Sequence, residues 1–238
     1  MAQLERPTTA PKALLTAGIG VRCWQKAGSQ IIEATLLKAI IFDIDGTLIE
    51  SMDIDSKLYF SSVTSVLGPV DFRENLSDYD NVTDSGIISH LADDNKIHLE
   101  PSTIHSIQTL FVEGLVGHIQ AAGPFPAIHG AIQTIDRLSR STDYCIAIAT
   151  GGWRKSALLK LESSGFALDG ITLVSCDESP LRTEIMSIAL AKLGSSFESV
   201  TYFGDTDWDR RACQALGWNF VPVGPDLGGI ESYHGYSF

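Results

Sequence analysis

The chain is short of basic residues, with 17 Lys and Arg against 29 Asp and Glu in 238 residues. The net charge of −12 leaves no basic stripe for a phosphate backbone, which argues against a broad nucleic-acid footprint. A small anionic substrate then has to be drawn in by local positive potential. Cysteine is scarce, and Cys23, Cys145, Cys176 and Cys213 fall in no paired metal-binding spacing. Cys145 lies inside an apolar run, so reduced thiols and an intracellular, cytoplasmic protein are expected. No apolar stretch approaches the roughly 20 residues that span a bilayer, so no membrane partner is expected. Residues 1–36 lack the continuous apolar core of a secretory signal. They are poor in serine and carry an early Glu5, unlike an organelle-targeting peptide, and are read as a flexible or loosely attached extension.

What the chain does have is a set of hydrophobic runs that each end in a polar group. In Lys38-Ala39-Ile40-Ile41-Phe42-Asp43-Ile44-Asp45-Gly46-Thr47-Leu48, β-branched and aromatic residues suit a central parallel strand covered on both faces. Asp43 and Asp45 follow at its C-terminal end, where open α/β sheets place ligands. Strand geometry would send both side chains to the same side, a repulsion that calls for a cation or a shared proton. Tyr144 to Ala149 is a second such run, ending in Thr150, Gly151 and Gly152. The Thr150 hydroxyl can donate to a phosphoryl oxygen, and the two glycines let backbone N–H groups approach closely. A helix starting near Trp153 to Ser156 would add its N-terminal dipole.

A third segment, Ser175 to Met186, leads into an amphipathic helix with Ile185, Ile188, Ala189 and Leu193 on one face. Arg182 at its start offers a permanent cation able to bridge two oxygens, with Lys160 as the fallback. An ordinary surface pairing of Arg182 with Glu178 or Glu184 is the competing reading. The fourth run, Val200 to Gly204, ends in Asp205, Asp207 and Asp209. Three acids in five residues are costly to hold together without a divalent cation. Arg210 to Leu216 reads as a short helix stopped at Gly217, and Val221 to Gly224 as one more short strand.

These four segments, in this order across residues 38–224, resemble the haloacid dehalogenase superfamily, whose first motif is Asp-x-Asp-Gly-Thr and whose last is Gly-Asp-x-x-x-Asp. Asp205 and Asp209 match the last motif, Asp207 is extra, and Arg182 stands where the superfamily more often has Lys. The resemblance implies a doubly wound three-layer α/β/α Rossmann-like core with a parallel sheet and a small helical cap. It implies Asp43 as nucleophile, forming an aspartyl-phosphate, and Asp45 as general acid and base. Mg²⁺ would be held by the Asp43 carboxylate, the Asp45 backbone carbonyl and Asp205, with Asp209 in support. Gly46, Thr150, Gly151, Gly152 and Arg182 would bind the phosphoryl group. Asp45 favours phosphoryl transfer over dehalogenation, because a carbon–halogen substrate has no leaving oxygen to protonate.

The core is expected over 37–50 and 126–238, with the cap inserted at 51–125. Within the cap, Leu58 to Leu67, stopped at Gly68-Pro69, then Ile87, Ile88 and Leu91, then Ile104 to Ile119, recur at helix spacing. The chain returns at Gly123-Pro124, and Ala131, Ile135 and Leu138 fit a helix packed on the sheet. His90, His98 and His105 offer cap contacts to a substrate, but scattered histidines are more often surface residues. Lys57 and Lys96 admit a Schiff-base reading that the Asp45 position disfavours. Trp153 and Trp208 either wall the pocket or pack on the sheet. The leading expectation is a Mg²⁺-dependent phosphomonoester hydrolase acting on a small phosphorylated metabolite. A phosphomutase and a non-catalytic binding module on the same fold are the alternatives. Oligomeric state is not legible.

Overall fold

A computed structural model describes residues 37–194 and 196–238. The extension expected over 1–36, with Cys23, lies outside the described residues. Five strands form one parallel sheet: β1 (Lys38–Phe42), β2 (Tyr144–Ala149), β3 (Thr172–Val174), β4 (Ser199–Gly204) and β5 (Asn219–Pro222). Their order is β3-β2-β1-β4-β5, so the expected Rossmann-like, doubly wound α/β fold is what the chain adopts. In β1, Ala39 to Phe42 are all buried, as a central strand covered on both faces requires. The chain steps outward from β1 to β3, then crosses back to β4. The crevice at that reversal opens at the C-terminal ends of β1 and β4, where Asp43 and Asp205 follow.

Between β1 and β2 the chain forms three α-helices, α1 (Met52–Leu67), α2 (Asp84–Asn95) and α3 (Pro101–Ala122), plus a short 3₁₀ turn at Leu76–Asp78. Local chemistry sets their ends. Gly68 stops α1 at φ +78°, Thr83 caps α2 by accepting from Gly86 N (3.0 Å), and Pro101 opens α3, which Gly123 closes at φ +92°. Four further helices, α4 (Ala131–Ser139), α5 (Arg154–Ser163), α6 (Arg182–Leu193) and α7 (Asp207–Leu216), flank the sheet. Ala131, Ile135 and Leu138 of α4 are buried, and so are Ile185, Met186 and Ala189 of α6.

The helical segment shares a hydrophobic cluster with the core. Trp153, just before α5, packs on Tyr59 of α1 (5.6 Å between ring centroids) and Phe111 of α3 (6.1 Å). It is therefore a packing residue, not a pocket wall.

Two features depart from the sequence reading. The last strand begins at Asn219, two residues before the expected Val221, because Gly217 (φ +69°) ends α7 and Trp218 N closes the turn onto Cys213 O (2.9 Å). The C-terminal tail, to which the sequence assigns no role, lays Tyr233, Tyr236 and Phe238 against Phe203 at 5.4–5.7 Å. Cys145, Cys176 and Cys213 are buried. Among the described residues, no helix is long and apolar enough to cross a membrane.

Candidate active site

Asp43 follows β1 directly and is 5% exposed, and its backbone N–H donates to Phe203 O (2.9 Å) across the β1/β4 junction. Its Oδ1 is buried without a hydrogen-bond partner and lies 3.8 Å from Arg182 Nη1. Carboxylate oxygens of Asp43, Asp205 and Asp209 lie within 4.8 Å of one another. Burial pushes the Asp43 carboxyl well above the usual range; Asp209 adds to this and Arg182 opposes it. Asp205 is pushed up to about 7, by burial first and Asp209 second. Three carboxyls gathered this closely make a donor set of hard oxygens suited to a divalent cation.

Gly46 makes that gathering feasible. It adopts φ +74°, and a Cβ there would stand 2.1 Å from Asp205 Oδ2. Gly204 leaves similar room for Asp209, whose side chain would meet a Cβ at 2.7–2.8 Å. Asp209 is fully buried and closes a capping box with Thr206 at the start of α7. Asp207 is not part of the cluster. It is exposed and pairs with Arg210 one turn along α7, so two acids of this loop face the crevice and the third is solvated.

Arg182 turns into the crevice, with its side chain 12% exposed, and is not paired on the surface. Nη1 donates to Asp209 Oδ1 (2.7 Å) and Nη2 to Val82 O (2.9 Å). Glu178 instead pairs with Arg154 and Lys192, and Glu184 accepts from Ser179. Gly151 gives Arg182 its path, since a Cβ there would lie 2.6 Å from Nη2. Thr150 is buried at the end of β2, and its Oγ1 accepts from Gly152 N (3.1 Å), which leaves the hydroxyl hydrogen as its donor. The start of α5 does not face the crevice as a free dipole. Trp153 N donates to Asp84 Oδ2 (2.9 Å) and Arg154 N to Asp177 Oδ2 (2.6 Å), so two carboxylates already occupy it.

Asp43 and Asp45 line one cavity but keep separate partners. Asp45 Oδ1 accepts from the Ser51 hydroxyl and from Lys160 Nζ, which also donates to Asp55 Oδ1 of α1. Lys160 is 1% exposed. Burial opposes its charge, and Asp45 and Asp55 outweigh that opposition, holding the ammonium above its ordinary range. Burial lifts Asp55 to about 6 against the pull of Lys160. The repulsion expected between Asp43 and Asp45 is thus relieved on two sides, by Arg182 for one and Lys160 for the other.

The cavity measures about 80 Å³ and brings Asp43, Asp45, Thr150, Gly151, Gly152, Arg182 and Asp205 together with residues of the 51–125 segment. Trp208 lines it and Trp153 does not. His90 turns to Gly86 O (2.9 Å) and Asp80, His98 pairs with Glu100, and His105, Lys57 and Lys96 are exposed. Sequence reasoning missed Ser51, Asp55, Asp84 and Tyr233. Tyr233 is 2% exposed and donates from its hydroxyl to Thr47 O (3.1 Å), bracing the first motif from behind. Asp55, in the first turn of the helix after that motif, carried the clearest signal of the four.

No curated protein matches the chain significantly. Among solved structures, a hydrolase from Pseudomonas syringae superposes with a TM-score of 0.63 at 18% identity, over 81% of this chain and 89% of its own. CbbY from Rhodobacter sphaeroides in complex with phosphate gives 0.61 at 20% identity, over 84% and 90%. A mutant of CbbY in complex with xylulose-1,5-bisphosphate gives 0.61 at 19%, over the same shares. At these identities the likeness is one of fold. The model of the haloacid dehalogenase-like hydrolases matches residues 37–217, most of the chain, and the protein belongs to that family.

Proposed function

We propose that the protein is a Mg²⁺-dependent phosphomonoester hydrolase of the cytoplasm that acts on a small phosphorylated metabolite through an aspartyl-phosphate. The observation that carries this reading is the buried, unpartnered Asp43 Oδ1 at the mouth of β1, facing Arg182 and two further carboxylates. Residues 37–50 and 126–238 serve as the catalytic core, 51–125 as its cap and 1–36 as an extension.

The three-carboxyl cluster fits a metal on its own chemistry. A group of acids that burial pushes toward protonation is restored to the ionised form by a hard dication. Asp43, the Asp45 carbonyl and Asp205 would hold Mg²⁺, with Asp209 as support through its grip on Arg182. Bound there, Mg²⁺ supplies positive charge that offsets the repulsion between the Asp43 carboxylate and the phosphoryl oxygens.

The chain's own residues do the rest. The Asp43 carboxylate attacks phosphorus in line, forming the acyl phosphate as the bond to the leaving oxygen breaks. Asp45 gives its proton to that oxygen, then takes one from the water that attacks phosphorus and frees inorganic phosphate and Asp43. Arg182 and the Thr150 hydroxyl stabilise charge on the transferring oxygens. Residues of α1 and α2 line the cavity and would limit the access of bulk water to a bound substrate. CbbY, of similar fold, holds phosphate and a sugar bisphosphate, which accords with a phosphorylated small molecule here. The test is phosphate release from a panel of small phosphomonoesters with and without Mg²⁺. Release should need both the metal and Asp43, and Asp43→Asn should lower it by roughly three orders of magnitude or more. Near-normal release from Asp43→Asn would overturn the reading.

A further inference from the structure

The leaving-group side of the cavity comes from the 51–125 segment, and its charge has one sign. Asp55 of α1 and Asp84 of α2 line it among Met52, Phe60, Leu76 and Ile87. Among the described residues, no Lys, Arg or His of this segment lines the cavity. The two cations nearby are already committed. Arg182 serves the phosphoryl end, and Lys160 lies buried under Asp45 and Asp55 with a hydrogen bond to each. Lys160 is thus shared by Asp45 and Asp55, and among the described residues no Lys, Arg or His pairs with Asp84, whose carboxyl burial pushes well above its usual range and a facing cation would return to the ionised form. Asp84 Oδ2 accepts from the Trp153 amide (2.9 Å), and Asp84 lines the cavity beside Asp55. At its phosphoryl end the same cavity holds the Oδ1 of Asp43, which makes no hydrogen bond and lies 3.8 Å from Arg182 Nη1.

Size narrows the choice further. A cavity of about 80 Å³ has room for roughly five to eight water-sized groups. The phosphoryl oxygens take about half of them. We propose that the pocket selects a phosphomonoester whose leaving group is a compact amino alcohol, its ammonium facing Asp84 and Asp55, and that it rejects leaving groups bearing a second anion. This rests on the phosphomonoester reading and names its substrate class. A carboxylate or second phosphate would meet like charge with no free cation to receive it, whereas an ammonium finds two acceptors.

Three esters of nearly equal size test the sign: 2-aminoethyl phosphate, 2-hydroxyethyl phosphate and carboxymethyl phosphate. kcat/KM should fall in that order, with the carboxymethyl ester at least about tenfold below the aminoethyl ester. Asp84→Asn keeps an acceptor for the Trp153 amide and should bring those two within about threefold, while a circular dichroism spectrum matching that of the parent protein reports an intact fold. Equal rates, or the hydroxyethyl or carboxymethyl ester ahead of the aminoethyl ester, overturn the inference and leave the phosphatase reading standing. Absence of Asp43-dependent release from all three esters and from methyl phosphate, whose leaving group fits any such pocket, overturns both.

Discussion

At the scale of single residues, the site depends on what is missing at Gly46 as much as on what is present at Asp43. The first motif reads as two aspartates and a turn, but the glycine also makes room for Asp205 from another strand. A substitution Gly46→Ala meets two costs: a left-handed backbone at φ +74°, worth about 1–2 kcal/mol, and a Cβ 2.1 Å from Asp205 Oδ2. Gly217→Ala, also at positive φ but with nothing within 4 Å, meets only the first. Gly46→Ala should therefore raise the Mg²⁺ concentration needed for half-maximal activity by about tenfold or more, whereas Gly217→Ala should leave it unchanged. A metal titration of both variants checks this, and matching Mg²⁺ requirements would refute the steric account. Asp43, Asp45, Thr150, Arg182, Asp205 and Asp209 were legible because each ends a hydrophobic run or opens a helix. Their partners were not, since Lys160 and Asp55 meet across more than 100 residues of sequence, a pairing that no local period encodes.

At the scale of elements, Lys160 ties α5 to the loop after β1 and to α1. The sequence shows a helix with a lysine on it, and the fold buries that lysine between two acids. Removing it leaves Asp45 and Asp55 without their shared cation in a buried place. Lys160→Met should lower stability by about 3–5 kcal/mol. Lys160 also orients Asp45, so turnover of alkyl phosphates, whose leaving oxygen needs a proton, should drop more than turnover of acetyl phosphate, whose leaving carboxylate needs none. Chemical denaturation and the ratio of the two rates read these effects, and an unchanged ratio would assign Lys160 to stability alone. The helices of 51–125 were legible from apolar spacing and from Gly68, Pro69, Gly123 and Pro124 at their ends. Their attachment was not. Thr83, Asp84 and Ser85 hydrogen-bond to Pro180 O, Gly151 O and Cys176 O of three core loops, contacts made by backbone and short polar side chains that carry no periodicity.

At the scale of the whole molecule, part of the acidic excess is buried at the site, where Asp55 and Asp205 lie close to other carboxyls. Asp205 loses its proton near 3.8 when unfolded and near 7 when folded, and Asp55 near 3.8 and 6. Between about pH 4 and pH 7 the native state binds the extra protons, so its stability should fall as pH rises through that window. On the proposed reading Mg²⁺ would bind the ionised cluster, so its stabilising effect should grow across the same window. Thermal melting in chelator and in excess Mg²⁺ reads both trends, and a melting temperature of metal-free protein that climbs from pH 4 to pH 7 would contradict them. The fold class followed from four strand-ending motifs in order, while the tail that braces Thr47 through Tyr233 did not, because its Gly224, Gly228, Gly229 and Gly235 signal only turns and leave no apolar period. On the proposed mechanism Asp43 carries the phosphoryl group during turnover. Acid quenching during turnover of a radiolabelled phosphomonoester, followed by peptide mapping, shows where that group resides. Label on the peptide containing Asp43, released by hydroxylamine and absent from Asp43→Asn, is the predicted result; steady phosphate release with label on another residue would contradict it.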